Sequence, residues 1–168
     1  MSDTPYRILA MGHLGGRNLG DEAMFQALVA LAPAGRRVEW LVPVPDPDKA
    51  PPYPEHMTLL PYSGKRLLAA LGACDAYLVC GGTSFHDQYE GARHRRHIGT
   101  MVKFIGLSAI ARLRGKKALL LGIGVGPFSR TGTKMLTRLW AGLSTRVVVR
   151  DQRSVDFLSA GGLRAPRL

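Results

Sequence analysis

Residues 6–20 read YRILAMGHLGGRNLG and decide the fold, because an apolar run of strand length passes directly into a glycine-rich loop. Tyr6–Met11 predicts a β-strand. The loop from Gly12 to Gly20 places glycines where a backbone must turn sharply or approach a ligand closely, and Asn18 tolerates a left-handed conformation there. Asp21 suits a helix cap. Strand, loop and helix in this order predict a parallel α/β fold in which the loop forms one wall of a ligand crevice.

Apolar runs of strand length alternate with amphipathic stretches of helix length along the rest of the chain. The predicted strands are Tyr6–Met11, Val38–Val42, Met57–Leu60, Ala76–Cys80, Ala118–Gly122 and Arg146–Val149. The predicted helices are Asp21–Ala32, Lys65–Cys74, His97–Leu113, Thr133–Leu143 and Arg153–Ala160. This alternation predicts a doubly wound parallel sheet with right-handed crossovers. Six prolines between Pro43 and Pro54 predict an extended surface loop.

The bulk composition is that of an ordinary globular protein. A length of 168 residues predicts a single domain, and 46% hydrophobic with 21% charged residues excludes disordered and fibrous classes. No signal segment opens the chain and no run reaches membrane-spanning length, so we expect a cytoplasmic protein. Cys74 and Cys80 are too few for a disulfide framework or a zinc site, and we expect reduced core thiols.

The chain carries a formal charge of +11, and 17 of its 23 basic residues are arginine. Arginine favours bidentate contact with carboxylate and phosphate, which indicates acidic sugars, phosphorylated donors, an anionic membrane surface or nucleic acid as partners. Solvated surface charge is the alternative. Only Phe85 and Tyr89 lie close to the basic cluster Arg93–Arg96, so the interleaving of basic and aromatic residues typical of single-strand binders is missing and no specific nucleic acid is expected.

Three glycine-rich segments follow predicted strands, at residues 12–20, 81–84 and 122–127. In the commonest doubly wound order, the first two flank the topological switch point, where open α/β sheets bind ligands. The spacing of the first matches neither the dinucleotide fingerprint nor a Walker A loop. Helix amides beside Arg17 could hold an anion there, although Asp21 and Glu22 compete with it. The third segment suits a tight strand-to-helix turn.

Further candidates follow the second segment. His86, beside Asp87, could act as acid or base or bind a sugar hydroxyl, and a solvated loop histidine is the alternative. The arginines of the cluster Arg93–His97 could hold an acidic acceptor or simply open a surface helix. Arg150 and Asp151 could pair and fix a helix start. No metal site and no cofactor are predicted. The predicted substrate-binding residues are Gly12, Gly15, Arg17, Asn18, Gly20, Asp21, Gly81, Gly82, Thr83, Arg93, Arg96 and Gly124, and the predicted catalytic residues are His86 and Asp87.

Taken together and in order, these motifs resemble the polysaccharide pyruvyl transferase family. Residues 12–22 resemble its opening G-x-x-G-x-x-N-x-G-D-E, and residues 81–87 its glycine run ending in Asp. Residues 122–127 resemble G-x-G-I-G-P, and residues 149–154 resemble V-R-D-x-x-S. The first and third motifs together are fairly specific, whereas each alone would be weak.

The resemblance implies a Rossmann-like domain, one half of a GT-B-type enzyme with two such halves facing a cleft. It implies transfer of a pyruvyl group from phosphoenolpyruvate to sugar hydroxyls of a cell-surface polysaccharide or its lipid-linked precursor. In the family the donor-binding residues lie in the carboxyl-terminal half, so residues 1–168 are expected to be the amino-terminal half and inactive alone. The carboxyl-terminal half is then a possible partner, and peripheral membrane contact is possible.

Two other functions stay open. The chain could be half of a glycosyltransferase that uses a nucleotide sugar, since the same kind of fold serves both chemistries. It could also be a non-catalytic basic module that binds acidic glycans or nucleic acid. The second Rossmann-like half would distinguish the enzymes from each other, and the salt dependence of binding would test the module.

Overall fold

The computed structural model describes residues 4–16, 18–33, 35–82 and 85–160. The strands are β1 (Tyr6–Met11), β2 (Val38–Val44), β3 (Met57–Pro61), β4 (Ala76–Cys80), β5 (Lys117–Ile123) and β6 (Arg146–Val149). The α-helices are α1 (Leu19–Ala30), α2 (Gly64–Ala73), α3 (Gly91–Leu113), α4 (Thr131–Leu143) and α5 (Gln152–Ser159), and a single 3-10 turn covers Pro47–Lys49.

All six strands belong to one parallel sheet, in the order β3-β2-β1-β4-β5-β6, with helices on both sides. This architecture confirms the predicted doubly wound, Rossmann-like α/β fold. Successive strands run outward from β1 to β3, and the chain then returns to place β4 beside β1. The topological switch point therefore lies between β1 and β4, as the sequence predicted.

The chain divides into two compact units, Met1–Gly81 and Gly82–Leu168. In the first, β1 pairs with β2 from Tyr6↔Val38 onward and with β4, while β2 pairs with β3. In the second, β5 pairs with β6. The prediction that residues 1–168 form a single domain without its carboxyl-terminal partner stays a prediction.

Aromatic rings form the centre of each unit. In the first, Phe25 of α1 meets Trp40 of β2 edge-on, with ring centroids 5.4 Å apart. In the second, the fully buried Trp140 of α4 stacks on Phe85 at 4.4 Å, and its indole N–H donates to Ser108 of α3. Burying rings of this size contributes much of the hydrophobic stabilisation, and the indole N–H has the partner that its burial demands.

Strand β2 runs two residues further than predicted, so the prediction of a loop beginning at Pro43 was wrong. Trp40 donates its N–H to a carbonyl at the start of β3, and Val44 accepts from the loop beyond β3, so both face β3. Successive residues of a strand direct their backbone hydrogen-bonding groups to opposite neighbours, so those of Pro43 face β1. The pairing between β1 and β2 ends at Leu41. No β1 partner is therefore lost to the missing proline N–H.

Helix α3 begins at Gly91, six residues before the predicted start at His97. The cluster Arg93–His97 thus occupies its first two turns, and its arginines are exposed. Arginine is a good helix former, and exposed charge does not interrupt a helix. The interpretation that the cluster opens a surface helix is confirmed, whereas its binding to an acidic acceptor stays a prediction.

Both cysteines are free and buried, as predicted. Burial, with the nearby carboxylates of Asp21 and Glu22, raises the pKa of Cys80 to about 12, so its thiol is not a nucleophile at neutral pH. Among the described residues, none of the helices combines the length and apolarity needed to cross a membrane. The same residues contain no group of three or more His, Cys, Asp or Glu placed to hold a metal ion.

Candidate functional site

The loop after β1 and the end of β4 pack so closely that side chains are excluded between them. A Cβ on Gly12 would lie 2.7 Å from the carbonyl oxygen of Cys80. Gly81 has a φ of +75°, and its Cβ would lie 2.9 Å from Oδ1 of Asp21. These contacts explain both glycines, and they confirm that the first glycine segment meets Gly81 at the switch point.

Gly15 turns the loop back on helix α1. Its φ is +69°, and its N–H donates to Oε1 of Glu22 at 2.6 Å and to the Tyr53 hydroxyl at 3.2 Å. The Tyr53 hydroxyl in turn donates to Oε2 of Glu22 at 2.6 Å. Burial raises the pKa of Tyr53, and the Glu22 carboxylate raises it further, so the phenol stays protonated and the bridge is intact at neutral pH. The Glu22 carboxylate of α1 is therefore the anion that this loop already binds.

Asn18, not Asp21, is the N-cap of α1, so the prediction of Asp21 as cap was wrong. The Asn18 side chain accepts from the Asp21 N–H at 3.5 Å and donates to Oδ2 of Asp21 at 2.7 Å. Its backbone is extended, with a φ of −87°. Asp21 occupies the third helical position, where a carboxylate interacts favourably with the helix dipole. Gly20, exposed before it, would admit a side chain, because a Cβ there would make only an ordinary contact of 3.6 Å with Oδ1 of Asn18.

His13 was not predicted as a functional residue, yet it lies at this edge beside Asp21. Its Nδ1 is 3.6 Å from Oδ2 of Asp21. The imidazole is 68% exposed, whereas the Asp21 side chain is only 6% exposed. An accessible histidine backed by a buried carboxylate is a recurrent acid–base arrangement. The available sequence signal was a histidine inside the glycine-rich loop, eight residues before the carboxylate of the first helical turn.

Asp87, in the second unit, holds the start of helix α4. Its carboxylate accepts from the Ser129 N–H and hydroxyl and, at 2.6 Å, from the Arg130 N–H. The Arg130 guanidinium donates back to the Asp87 carbonyl at 2.8 Å. Burial would raise the pKa of Asp87, but these donors together hold it below its ordinary value. Asp87 thus acts as an anionic cap supplied from a neighbouring loop.

An open pocket of about 270 Å³ lies beside this capping interaction. It is lined by Asp87, Gln88, Glu90, Pro127, Phe128, Ser129 and Arg130. Its lining combines both charges with an aromatic ring.

His86 is buried, so the alternative of a solvated loop histidine was wrong. Its ring stacks on His97 with centroids 4.6 Å apart and meets Tyr89 edge-on at 4.7 Å. Its Nδ1 accepts from the Gln88 N–H at 3.3 Å, and its carbonyl oxygen lies 2.9 Å from Nε2 of His97. The Arg93 guanidinium lies over the ring of Tyr89, 4.7 Å from its centroid. The catalytic role of His86 and Asp87 stays a prediction.

The third and fourth motifs are joined by hydrogen bonds. Ser154, fully buried in α5, accepts from the Val125 N–H at 2.9 Å and donates its hydroxyl to Asp151 at 2.7 Å. Asp151 caps α5 by accepting from the Ser154 N–H. The hydroxyl and N–H of Ser154 lower the pKa of Asp151. The loop after β5 is thereby fixed to the start of α5.

Gly124 and Gly82 also have structural roles in the second unit. A Cβ on Gly124 would lie 2.5 Å from Nε of Arg150, so this glycine leaves room for the arginine. Its N–H donates to the Gly82 carbonyl at 3.3 Å. Arg150 pairs with Asp151 at 3.4 Å, which confirms the predicted ion pair at a helix start. Substrate contact by either glycine stays a prediction. Arg17 and Thr83 lie outside the described residues.

The fold and these loops together define a class of protein. It is a Rossmann-like α/β protein whose glycine-rich loops follow β1, β4 and β5 at their carboxyl ends, the edge at which such sheets bind ligands.

The family follows from comparison with known proteins. The family model described as polysaccharide pyruvyl transferase matches residues 18–167, and the chain belongs to that family. This match covers most of the chain and confirms the resemblance seen in its motifs. Searches of curated proteins and of solved structures gave no match.

Proposed function

We propose that this chain is the acceptor-side half of a polysaccharide pyruvyl transferase. The enzyme would take a pyruvyl group from phosphoenolpyruvate and attach it as a ketal to two hydroxyls of a sugar in a cell-surface polysaccharide or its lipid-linked precursor. The observation that carries the proposal is the family match over residues 18–167. The donor and the division into halves go beyond that match and follow from the family resemblance, and the acceptor position is argued from the chemistry of the loops.

The loop after β1 suits hydroxyl groups better than phosphate. Glu22 already accepts the Gly15 N–H that a phosphate would need, and Asp21 adds a second carboxylate to the same helix turn. Both would repel the highly charged phosphoenolpyruvate, whereas carboxylates readily accept hydrogen bonds from sugar hydroxyls. This charge distribution supports an acceptor site here, with the donor held by a carboxyl-terminal half of the kind that the family resemblance implies.

The second unit has features of its own that suit a charged acceptor. Arg93 and Arg96 are exposed on the first turns of α3, where basic residues oppose the helix dipole and would gain from an anionic ligand. An acidic sugar or the phosphates of a lipid-linked saccharide would supply that charge. The loop fixed by Asp87 would shape the sugar pocket beside Arg130, and His86 would support it from within the ring cluster.

The proposal is tested with the chain in its complete native form, together with any carboxyl-terminal half encoded in frame or beside it. Phosphoenolpyruvate and a panel of acceptor saccharides are supplied, and both released phosphate and the ketal methyl signal in proton NMR are measured. We expect the two products in equal amounts from the complete enzyme and none from the 168-residue chain alone. Transfer only from a nucleotide sugar would replace the proposal by a glycosyltransferase, and turnover by the isolated chain would refute the assignment as a half-enzyme.

A paired substitution tests the arginines. Arg93→Gln with Arg96→Gln should raise the acceptor KM while leaving the phosphoenolpyruvate KM unchanged. Arg146→Gln with Arg153→Gln, at two other exposed arginines of the same unit, is the matched control for loss of two surface charges. An equal effect of the control would mean that only general charge attraction is at work. Retention of the chain on a nucleic-acid column in moderate salt would instead favour the non-catalytic module.

A further inference from the structure

We propose that His13 and Asp21 form the general-base dyad that activates the acceptor hydroxyl. This inference rests on the proposed function, because it assigns a residue to the acceptor side of the same reaction. His13 would take the proton from the sugar hydroxyl, and Asp21 would orient the imidazole and stabilise its charged form.

The carboxylate is held in place more tightly than a surface aspartate. Asn18 donates to its Oδ2 at 2.7 Å, and the backbone of Gly81 lies so close to Oδ1 that no side chain fits between them. Its side chain is only 6% exposed. A buried, anchored carboxylate is the partner that fixes the tautomer and direction of a catalytic imidazole.

The imidazole itself is accessible, and its Nδ1 lies near the Asp21 carboxylate. Nδ1 of His13 faces Oδ2 of Asp21 at 3.6 Å, and the side chain is 68% exposed. In the neutral form with the proton on Nδ1, the ring keeps Nε2 as an acceptor for a ligand. The 3.6 Å separation is longer than a hydrogen bond, as is common for catalytic pairs without substrate, and a small rotation of an exposed ring would close it.

The position of the pair agrees with the topology. His13 stands in the loop that follows β1, and Asp21 contacts the residue that follows β4. These two strands flank the switch point, where ligands of doubly wound sheets bind. His86, the histidine predicted from sequence, is by contrast 6% exposed and stacked between rings, so a substrate hydroxyl would have to displace its neighbours.

The chemical step balances with phosphoenolpyruvate and a sugar diol as the only reactants. Nε2 of His13 takes the proton of the first hydroxyl as its oxygen bonds to C2 of the enolpyruvyl group, and the electrons of the double bond take up a proton at C3, converting the methylene into a methyl. The second hydroxyl then bonds to C2 while the C2–O bond to phosphate breaks. The proton that His13 took from the first hydroxyl is passed to C3, and the proton of the second hydroxyl leaves on the departing phosphate, so His13 is neutral for the next cycle.

The test compares His13→Ala and His13→Gln with wild type in the complete native enzyme. Both should lower kcat by about 10²- to 10⁴-fold, the usual contribution of a general base, with little change in the acceptor KM. Imidazole added to the His13→Ala enzyme should restore part of the rate, which a merely structural histidine would not allow. His56→Ala, an exposed histidine of the same unit, is the control and should keep the wild-type rate.

Coupling to Asp21 is measured by a double-mutant cycle. If Asp21 acts through His13, Asp21→Asn should lower kcat in the wild-type background but add little in the His13→Ala background. Far-UV circular dichroism of each variant checks that the fold is retained. Additive losses in kcat would overturn the dyad.

The outcomes separate this inference from the function on which it rests. Wild-type turnover of phosphoenolpyruvate with unchanged kcat in both His13 variants would overturn the dyad alone. A lowered kcat without imidazole rescue, or one matched by His56→Ala, would also overturn it. Absence of any phosphoenolpyruvate turnover by the complete wild-type enzyme would overturn the proposed function and the dyad together.

Discussion

Replacing Asp87 by alanine should destabilise the second unit while sparing the first. The substitution leaves the N–H groups of Ser129 and Arg130 without their carboxylate. An unsatisfied buried donor costs about 1–3 kcal/mol, and loss of a helix cap about 0.5–2 kcal/mol. Ser129 is exposed, so water can replace its partner, and the Arg130 donor dominates the cost. These contributions overlap, and we expect a loss of about 2–3 kcal/mol. Asp87→Asn keeps one acceptor oxygen and should lose about half as much.

The two tryptophans allow this to be measured in one unit at a time, because Trp40 lies in the first and Trp140 in the second. In a Trp40→Phe background, urea unfolding followed by fluorescence reports on Trp140 alone. With a urea m-value of about 1 kcal/mol/M for a unit of this size, Asp87→Ala should lower the midpoint by about 2–3 M.

The control for this measurement is Asp156→Ala, which removes an exposed carboxylate on α5 that accepts a side-chain hydrogen bond from the exposed Gln152. It should stay within about 0.5 kcal/mol of the background. If Asp87→Ala unfolds at the same urea concentration as this control, the assignment of Asp87 as the anionic cap of α4 is wrong.

Three further predictions concern stability, each measured by urea unfolding. Gly15→Ala places a Cβ at positive φ within 2.6 Å of a valine side chain and should lower the free energy of unfolding by about 2–4 kcal/mol. Gly16→Ala, with open space around it, should lower it by less than about 1 kcal/mol. Equal losses would contradict the packing. Ser154→Ala removes a buried acceptor and should cost about 1–3 kcal/mol, whereas the exposed Ser159→Ala should be nearly neutral; a neutral Ser154 variant would refute the bridge. Because the pKa of Asp87 is lower in the folded state, ionised Asp87 stabilises the fold fully above its unfolded pKa, near 3.9, and this stabilisation is lost as pH falls through the folded pKa. The difference in free energy of unfolding between wild type and Asp87→Ala should therefore narrow below about pH 4. A constant difference down to about pH 2 would refute the lowered pKa.

The strands were the most predictable part of this fold. Strands β1, β4 and β6 have the predicted bounds, because strands buried in a parallel sheet are short apolar runs bounded by glycine or charge. The end of β2 was missed, because a strand tolerates a proline only where no neighbouring strand needs its N–H as a donor. That depends on the register between β1 and β2, which no local pattern reveals.

The place of the candidate site followed from the sequence, but its arrangement did not. Glycine segments after β1 and β4 indicate the switch point because close backbone approach requires them. The bridge from Glu22 to Tyr53 joins residues 31 positions apart, so no local pattern predicts it. His13 was missed for a similar reason. It is a candidate because it lies beside the buried carboxylate of Asp21, and the separation of the two residues in the sequence does not predict that burial.

The hydroxyl of Ser154 has an evolutionary consequence. It ties the glycine–proline loop after β5 to the first turn of α5 through Val125 and Asp151. The two sequence motifs therefore depend on one side chain, and a lineage that replaces Ser154 loses the loop anchor together with one of the hydrogen bonds that hold the Asp151 carboxylate. Relatives that vary at position 154 should also vary at Asp151 or in the loop after β5. Where another side chain makes the two hydrogen bonds of the Ser154 hydroxyl, the two motifs should vary independently of each other.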